Sequence, residues 1–153
     1  MMQKDYVLNL FETLELLDSA LSWLKRSYGI CSEIGIKNEY SEEEFDAFET
    51  LTSRFARVSD ITIQKVFRSI DKVEFEEGGT LIDIINRAHK RRLFDEINDI
   101  RMIRDLRNSI AHEYAKARLE DLFREVLAST PRLFMLSEKI ASYCQRYRTE
   151  DIS

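Results

Sequence analysis

Apolar residues recur three and four positions apart along the first part of the chain, over residues 4–28. This spacing places them on one face of an α-helix, as in helices that pack along a nearly parallel or antiparallel partner. The apolar positions are Val7, Leu10, Leu14, Leu17, Leu21, Leu24 and Tyr28, and Phe11, Ala20 and Trp23 widen the face that they form. We therefore expect a first helix with a broad apolar side facing the core.

A second helix is predicted to begin at Ser41, because Ser41 and Glu44 have the Ser-x-x-Glu spacing of a capping box. Apolar residues follow at helical spacing, and a change of the apolar face is predicted near Ser59 and Asp60. These apolar residues are Phe45, Phe48, Leu51, Phe55, Val58, Ile61, Ile63, Val66, Phe67 and Ile70. The second helical block ends in an acidic turn over residues 74–79.

A third block is predicted to begin at Thr80, a favourable N-cap with Asp83 three residues further on. The pattern predicts a helix from Leu81 to about Arg92, with a possible break near residues 94 and 95. A single apolar face then runs through Ile97, Ile100, Ile103, Leu106 and Ile110. This face continues into the segment that carries the candidate chemistry.

The last predicted helix begins at Ala117, and its apolar face keeps steps of three and four up to Tyr147. Because the register continues across Pro131, we expect a kink there rather than two separate helices. No segment shows the alternation typical of a strand. The pattern therefore predicts an all-α protein, an up-and-down bundle of four to five helices forming one domain over residues 1–153.

Composition agrees with a single soluble helical domain. The 153 residues are 44% hydrophobic and 33% charged, and no apolar run approaches the roughly 20 residues that span a bilayer. The N-terminal residues lack the apolar core of a signal peptide, so we expect a cytoplasmic protein. The two cysteines, Cys31 and Cys144, lie far apart and are interpreted as reduced structural thiols.

The charge is unevenly distributed along the chain. The net charge is −5, but residues 87–118 contain nine Lys or Arg and five Asp or Glu, so this segment is +4 and the remainder is −9. A basic stripe on an acidic body can bind phosphate at one place, and Arg101, Arg104 and Lys116 are its candidate RNA-binding residues. The alternative is a solvated helix face with intrahelical pairs such as Asp105 with Arg101.

The most specific segment is residues 107–114, which read Arg-Asn-Ser-Ile-Ala-His-Glu-Tyr. A guanidinium can bind a phosphate bidentately, and an imidazole can exchange protons near neutral pH. Arg107 and His112 diverge by roughly 140° on an uninterrupted helix. A joint phosphate site therefore requires that the helix ends near residues 109–111, or that a second subunit completes the site.

Other chemistries have less support in the sequence. His89 and His112 are 23 residues apart and no Cys/His cluster exists, so we expect no metal site. No serine lies in a strand-turn-helix elbow, and no glycine-rich phosphate loop is present. A histidine such as His112 is more often structural than catalytic, so a helical dimer without catalysis also remains open.

The pattern Arg107-Asn108-x-x-x-His112-x-Tyr114, at the end of a helix in an all-α chain of this size, resembles the HEPN superfamily and most closely its HepT branch. The resemblance implies a homodimeric, metal-independent ribonuclease toxin in which the motif-bearing helices of two protomers face each other. Arg107 and His112 are then catalytic, and Asn108 supports them.

The resemblance also implies a partner, a small nucleotidyltransferase antitoxin. That partner uses ATP and magnesium to transfer AMP to the motif tyrosine, here Tyr114, whereas the chain itself needs no cofactor. The added bulk and negative charge then exclude RNA from the site. The alternative within the same fold is a non-catalytic subunit that presents substrate to a nucleotidyltransferase or pairs with it.

Overall fold

The computed structural model describes the backbone of residues 2–76, 78–112 and 115–152, and every regular element in these ranges is helical. The elements are α1 (Met2–Ile34), α2 (Glu42–Asp60), a π-turn (Ile61–Val66), α3 (Phe67–Val73), α4 (Leu81–Lys90), α5 (Ile97–His112) and α6 (Lys116–Ile152). Because α2, the π-turn and α3 form one continuous rod, the described residues form five rods. This confirms the predicted all-α class and the number of helices.

Both predicted N-caps are present. The Ser41 hydroxyl accepts a hydrogen bond from the Glu44 N–H at 3.1 Å, and the Glu44 carboxylate accepts one from the Ser41 N–H at 2.9 Å. Thr80 and Asp83 form the same reciprocal pair at the start of α4, at 3.3 and 2.8 Å. Each box provides acceptors for N–H groups that have no partner inside the helix.

The long helix α1 packs against α2, α3 and α6 and buries most of its predicted apolar face. The prediction for Trp23 is wrong, since its side chain is 49% exposed. The indole instead lies beside the Arg54 guanidinium, which is 5.1 Å from a ring centroid. Trp23 therefore lies at the edge of the apolar face of α1, where an aromatic ring can contact a cation at the surface.

The core between α2 and α6 is aromatic. The rings of Phe48 and Phe123 are fully buried and stacked, with centroids 5.1 Å apart. Phe45 meets Phe123 edge-on at 5.0 Å. Since buried aromatic side chains supply large apolar areas, this contact fixes α6 against α2.

The π-turn explains the predicted change of face near Ser59 and Asp60. Here the Phe67 N–H donates to the carbonyl of Thr62, five residues earlier, so this stretch holds more residues per turn than an α-helix. The apolar face therefore rotates, and both Ile61, the first residue of the π-turn, and Phe67, directly after it, are buried. Asp60, the last residue of α2, lies directly before the turn and contacts α5.

Helix α6 continues through Pro131, which excludes two separate helices as predicted. Proline removes one backbone donor from the helical ladder. The Thr130 hydroxyl also bonds locally, donating to the Val126 carbonyl at 2.7 Å. The apolar face that includes Leu133 and Ile140 stays buried beyond the proline.

Part of the predicted basic stripe points into the protein rather than toward solvent. Asp71, whose side chain is only 2% exposed, accepts hydrogen bonds from Arg87 at 3.0 Å and from Arg91 at 2.6 Å. Arg91 also pairs with Glu74 at 3.2 Å. The stripe is therefore split, because these two arginines pair with Asp71 and Glu74 and are not available to a phosphate.

The same polar network reaches α6 through Glu74, which accepts hydrogen bonds from the hydroxyls of Tyr143 and Tyr147. Burial raises the pKa of Glu74, but the two hydroxyls and the charge of Arg91 outweigh burial and leave this pKa below its usual range. Burial and the carboxylate raise the pKa values of both tyrosines. The network thus joins α3, α4 and α6 through one ionised carboxylate.

Both cysteines are buried as free thiols, in agreement with their predicted structural role. Burial raises the pKa of Cys31 to about 11 and that of Cys144 to about 12. These thiols are therefore poor nucleophiles near neutral pH. Among the described residues, no helix combines the length and the apolarity needed to cross a lipid bilayer.

Candidate functional site

The central side chain of the candidate site, Arg107, is held by Asp60. The Arg107 Nε donates to Asp60 Oδ1 at 2.8 Å, and Nη2 donates to Oδ2 at 3.0 Å. This is a bidentate pair between α5 and the end of α2, and both side chains remain about 36% and 45% exposed. The hydrogen bond and the charge of Asp60 raise the pKa of Arg107, so the guanidinium is ionised near neutral pH.

A cavity of about 320 Å³ lies beside this pair, between the π-turn and α5. Three predicted site residues line it, namely Arg104, Arg107 and Asn108. From the opposite side it is lined by Asp60 and Gln64. Helix α5 can present these three polar residues together because Ile103 and Leu106, on its other side, are buried in the core.

The lining of this cavity suits an anion, but one carboxylate of the protein competes with that anion for Arg107. Among the described residues, Nη1 of Arg107 and the guanidinium of Arg104 have no hydrogen-bond or ion-pair partner, so both can donate to a bound phosphate. Asn108 adds an exposed carboxamide next to them. Asp60 supplies the carboxylate that a phosphate must either displace or bind beside.

His112 lies outside this group. The helix does not end near residues 109–111, because α5 continues to His112. The imidazole therefore points roughly 140° away from Arg107 around the helix axis. It is exposed and does not line the cavity, so the first of the two predicted geometries, a helix end that brings Arg107 and His112 together, is wrong.

The remaining predicted residues differ in where they lie. Arg101 and Lys116 are exposed and do not line the cavity. Tyr114, the predicted modification site, lies outside the described residues. The other histidine, His89, is half-buried, with Nε2 at 3.0 Å from the carbonyl oxygen of Asp95.

Sequence reasoning missed Asp60 and Gln64 as site residues. Asp60 is 47 positions from Arg107, and its role depends on how α2 packs against α5, which no local pattern reports. The only available signal was the predicted change of face at Ser59 and Asp60. A rotation of a helix at that point changes which polar residues it presents to its neighbour.

Comparison of the chain with protein-family models, with curated proteins and with solved structures found no match.

Proposed function

We propose that the chain is a HEPN-type, metal-independent endoribonuclease of the HepT branch, active as a homodimer and controlled by a nucleotidyltransferase antitoxin. The observation that carries the proposal is the anion cavity formed by Arg104, Arg107 and Asn108, together with an exposed His112 on another face of the same helix. Each protomer thus has two separate parts of a site, the phosphate-binding cavity at Arg107 and the proton-transfer group of His112. A twofold pairing of α5 with its copy would supply both halves to one phosphate.

In the proposed reaction, the RNA 2′-oxygen attacks the adjacent phosphorus and the bond from phosphorus to the 5′-oxygen breaks. The imidazole of one His112 takes the proton of the 2′-hydroxyl, and the imidazolium of the partner subunit's His112 gives a proton to the departing 5′-oxygen. The products are a 2′,3′-cyclic phosphate and a 5′-hydroxyl. Arg107 and Arg104 stabilise the charge that develops on the phosphorane oxygens.

Replacement of the histidine tests this proposal. His112→Ala is expected to abolish RNA cleavage, by about 100-fold or more as for loss of a general acid or base, while the dimer stays folded. Cleavage is followed on labelled RNA in the presence of a chelator, and the dimer by light scattering. His89→Gln, in the other histidine, is the matched control and should retain activity. Wild-type protein that cuts no RNA would falsify the proposal.

Mixed dimers test whether one phosphate requires both subunits. Dimers with one wild-type and one His112→Ala protomer can be purified with two different affinity tags. They are expected to be nearly as inactive as the variant homodimer, because each phosphate needs two imidazoles. Half of the wild-type activity in these dimers would instead place a complete site within one protomer.

A second candidate function is a non-catalytic subunit that binds a nucleotidyltransferase. The Arg107–Asp60 pair favours it, because the edge of the guanidinium best suited to a phosphate already holds a carboxylate of the same chain. This candidate predicts a stable complex with the nucleotidyltransferase that survives His112→Ala, and no RNA cleavage by any form of the protein. The cleavage assay therefore separates the two functions.

A further inference from the structure

A second polar cavity, of about 540 Å³, lies between α1 and the rod formed by the π-turn and α3. Three cations line it, Lys65, Arg68 and Lys72, and we call this cavity the basic groove. They are three and four positions apart, so they form one row along the rod. At 1.5 Å per residue the row is about 10 Å long.

Within residues 2–76, 78–112 and 115–152, no carboxylate pairs with the cations of the basic groove. Among the described residues, Lys65, Arg68 and Lys72 form no ion pair, and the only polar side-chain partner of Arg68 is Gln64, at 3.4 Å. Of the described residues that line the groove, one carries a carboxylate, Asp71, and it is buried and already paired with two arginines. An overall acidic protein thus has a local row of cations that no described carboxylate pairs with.

The basic groove is continuous with the candidate site. Gln64 lines both the groove and the cavity at Arg107, so the two cavities meet at the π-turn. Taken together, the described residues of the two linings include five cations and two carboxylates, and both carboxylates are ion-paired. A polyanion bound at Arg107 can therefore extend past Gln64 and reach the cations of the basic groove, beginning with Arg68.

The lining of the basic groove also indicates how a strand would bind. Among the described residues that line it, none is aromatic, so it offers no platform for base stacking. Asn9 and Thr13 add polar side chains on the α1 side. Phosphates of one strand recur about every 3.4 Å along a duplex and lie further apart in an extended strand, so the row faces two or three phosphates.

We propose that the basic groove binds the sugar-phosphate backbone of single-stranded RNA and leads the strand to the phosphate held at Arg107. The proposal rests on the ribonuclease function proposed above and specifies its substrate, an extended strand longer than a dinucleotide. Binding in the groove is independent of base sequence, because only charges and polar groups contact the strand.

Charge reversal in the groove tests this proposal, with His112→Ala as the background so that the RNA stays intact. The groove variant is Lys65→Glu/Lys72→Glu, and the matched control, Lys25→Glu/Lys90→Glu, changes two exposed lysines that do not line either cavity and alters the net charge equally. Anisotropy of a labelled RNA of about 12 nucleotides is measured between about 50 and 200 mM salt.

The groove variant is expected to weaken RNA binding at least about tenfold at the lowest salt and to reduce the slope of log affinity against log salt by about 1.4, near 0.7 for each lost phosphate contact. The control should change affinity less than about threefold, because it removes only long-range attraction. The neutral variant Lys65→Gln/Lys72→Gln should give a smaller loss of the same sign. Equal weakening by groove and control variants overturns the proposal.

Substrate length separates this proposal from the ribonuclease function. With His112 intact, the groove variant should cut the long RNA at least about tenfold more slowly at low substrate, but a dinucleotide within about twofold of wild type, because a dinucleotide does not reach the groove. If the groove variant cuts both substrates more slowly by the same factor, the proposed role of the basic groove is overturned. Wild-type protein that binds RNA through the groove but cuts neither substrate supports the groove and refutes the ribonuclease.

Discussion

The Arg107 guanidinium is shared between a carboxylate of its own chain and whatever anion enters the cavity. Asp60 takes the Nε and Nη2 edge, and Nη1 remains for a ligand. An exposed pair of this kind contributes little to stability, since solvent screens it and ordering both side chains costs entropy. Its main effect is therefore on binding, where Asp60 fixes the guanidinium and also repels phosphate.

Asp60→Asn is expected to tighten RNA binding several-fold, because the substitution removes a negative charge about 3 Å from the phosphate-binding group. The free energy of unfolding should change by less than about 1 kcal/mol. RNA affinity by anisotropy and urea unfolding measure the two effects. Asp46→Asn, an exposed acid elsewhere on α2, is the control. Weaker RNA binding by Asp60→Asn would show that the carboxylate is needed to position Arg107.

At the level of the secondary-structure elements, the sequence predicts the helix starts but not the contacts between helices. The starts at Ser41 and Thr80 were predicted because a capping box involves residues only three apart. The exposure of Trp23 was missed because spacing alone does not say where an apolar stripe ends. The pairing of Asp60 with Arg107 was missed because it depends on two helices that meet far apart in the sequence.

Pro131 makes α6 less stable than its length suggests, because the ring removes a ladder hydrogen bond and crowds the preceding turn. Pro131→Ala is therefore expected to raise the free energy of unfolding by about 1–3 kcal/mol. Chemical denaturation measures the change. The control is Ser142→Ala, an exposed position in the same helix where helix propensity changes by only a few tenths of a kcal/mol. A loss of stability in the Pro131 variant would show that the core is adapted to the proline.

At the scale of the whole molecule, the network around Glu74 connects three helices through buried charge. A carboxyl whose pKa is lowered in the folded state stabilises the protein above its unfolded pKa. This contribution is lost as the pH falls through the lower folded pKa. The unfolded pKa of glutamate is about 4.3, so the loss begins near that pH and increases below it.

Glu74→Gln should therefore be less stable than wild type at neutral pH, by about 1–3 kcal/mol for a lost charged hydrogen-bonding partner. The difference should shrink as the pH falls below about 4, where wild type also loses this ionised group. Denaturant unfolding at several pH values measures it, with Glu138→Gln, an exposed glutamate on α6, as the control. A difference that is constant with pH would show that the shape of the side chain matters rather than its charge.

The π-turn has a consequence for how relatives of this chain are aligned. A π-turn accommodates an additional residue within a helix that is otherwise α-helical on both sides. A relative with an uninterrupted α-helix at this position would therefore need a one-residue gap between the counterparts of Asp60 and Phe67. Without the gap, either the core residues after the turn or the acid facing Arg107 would be compared with the wrong position.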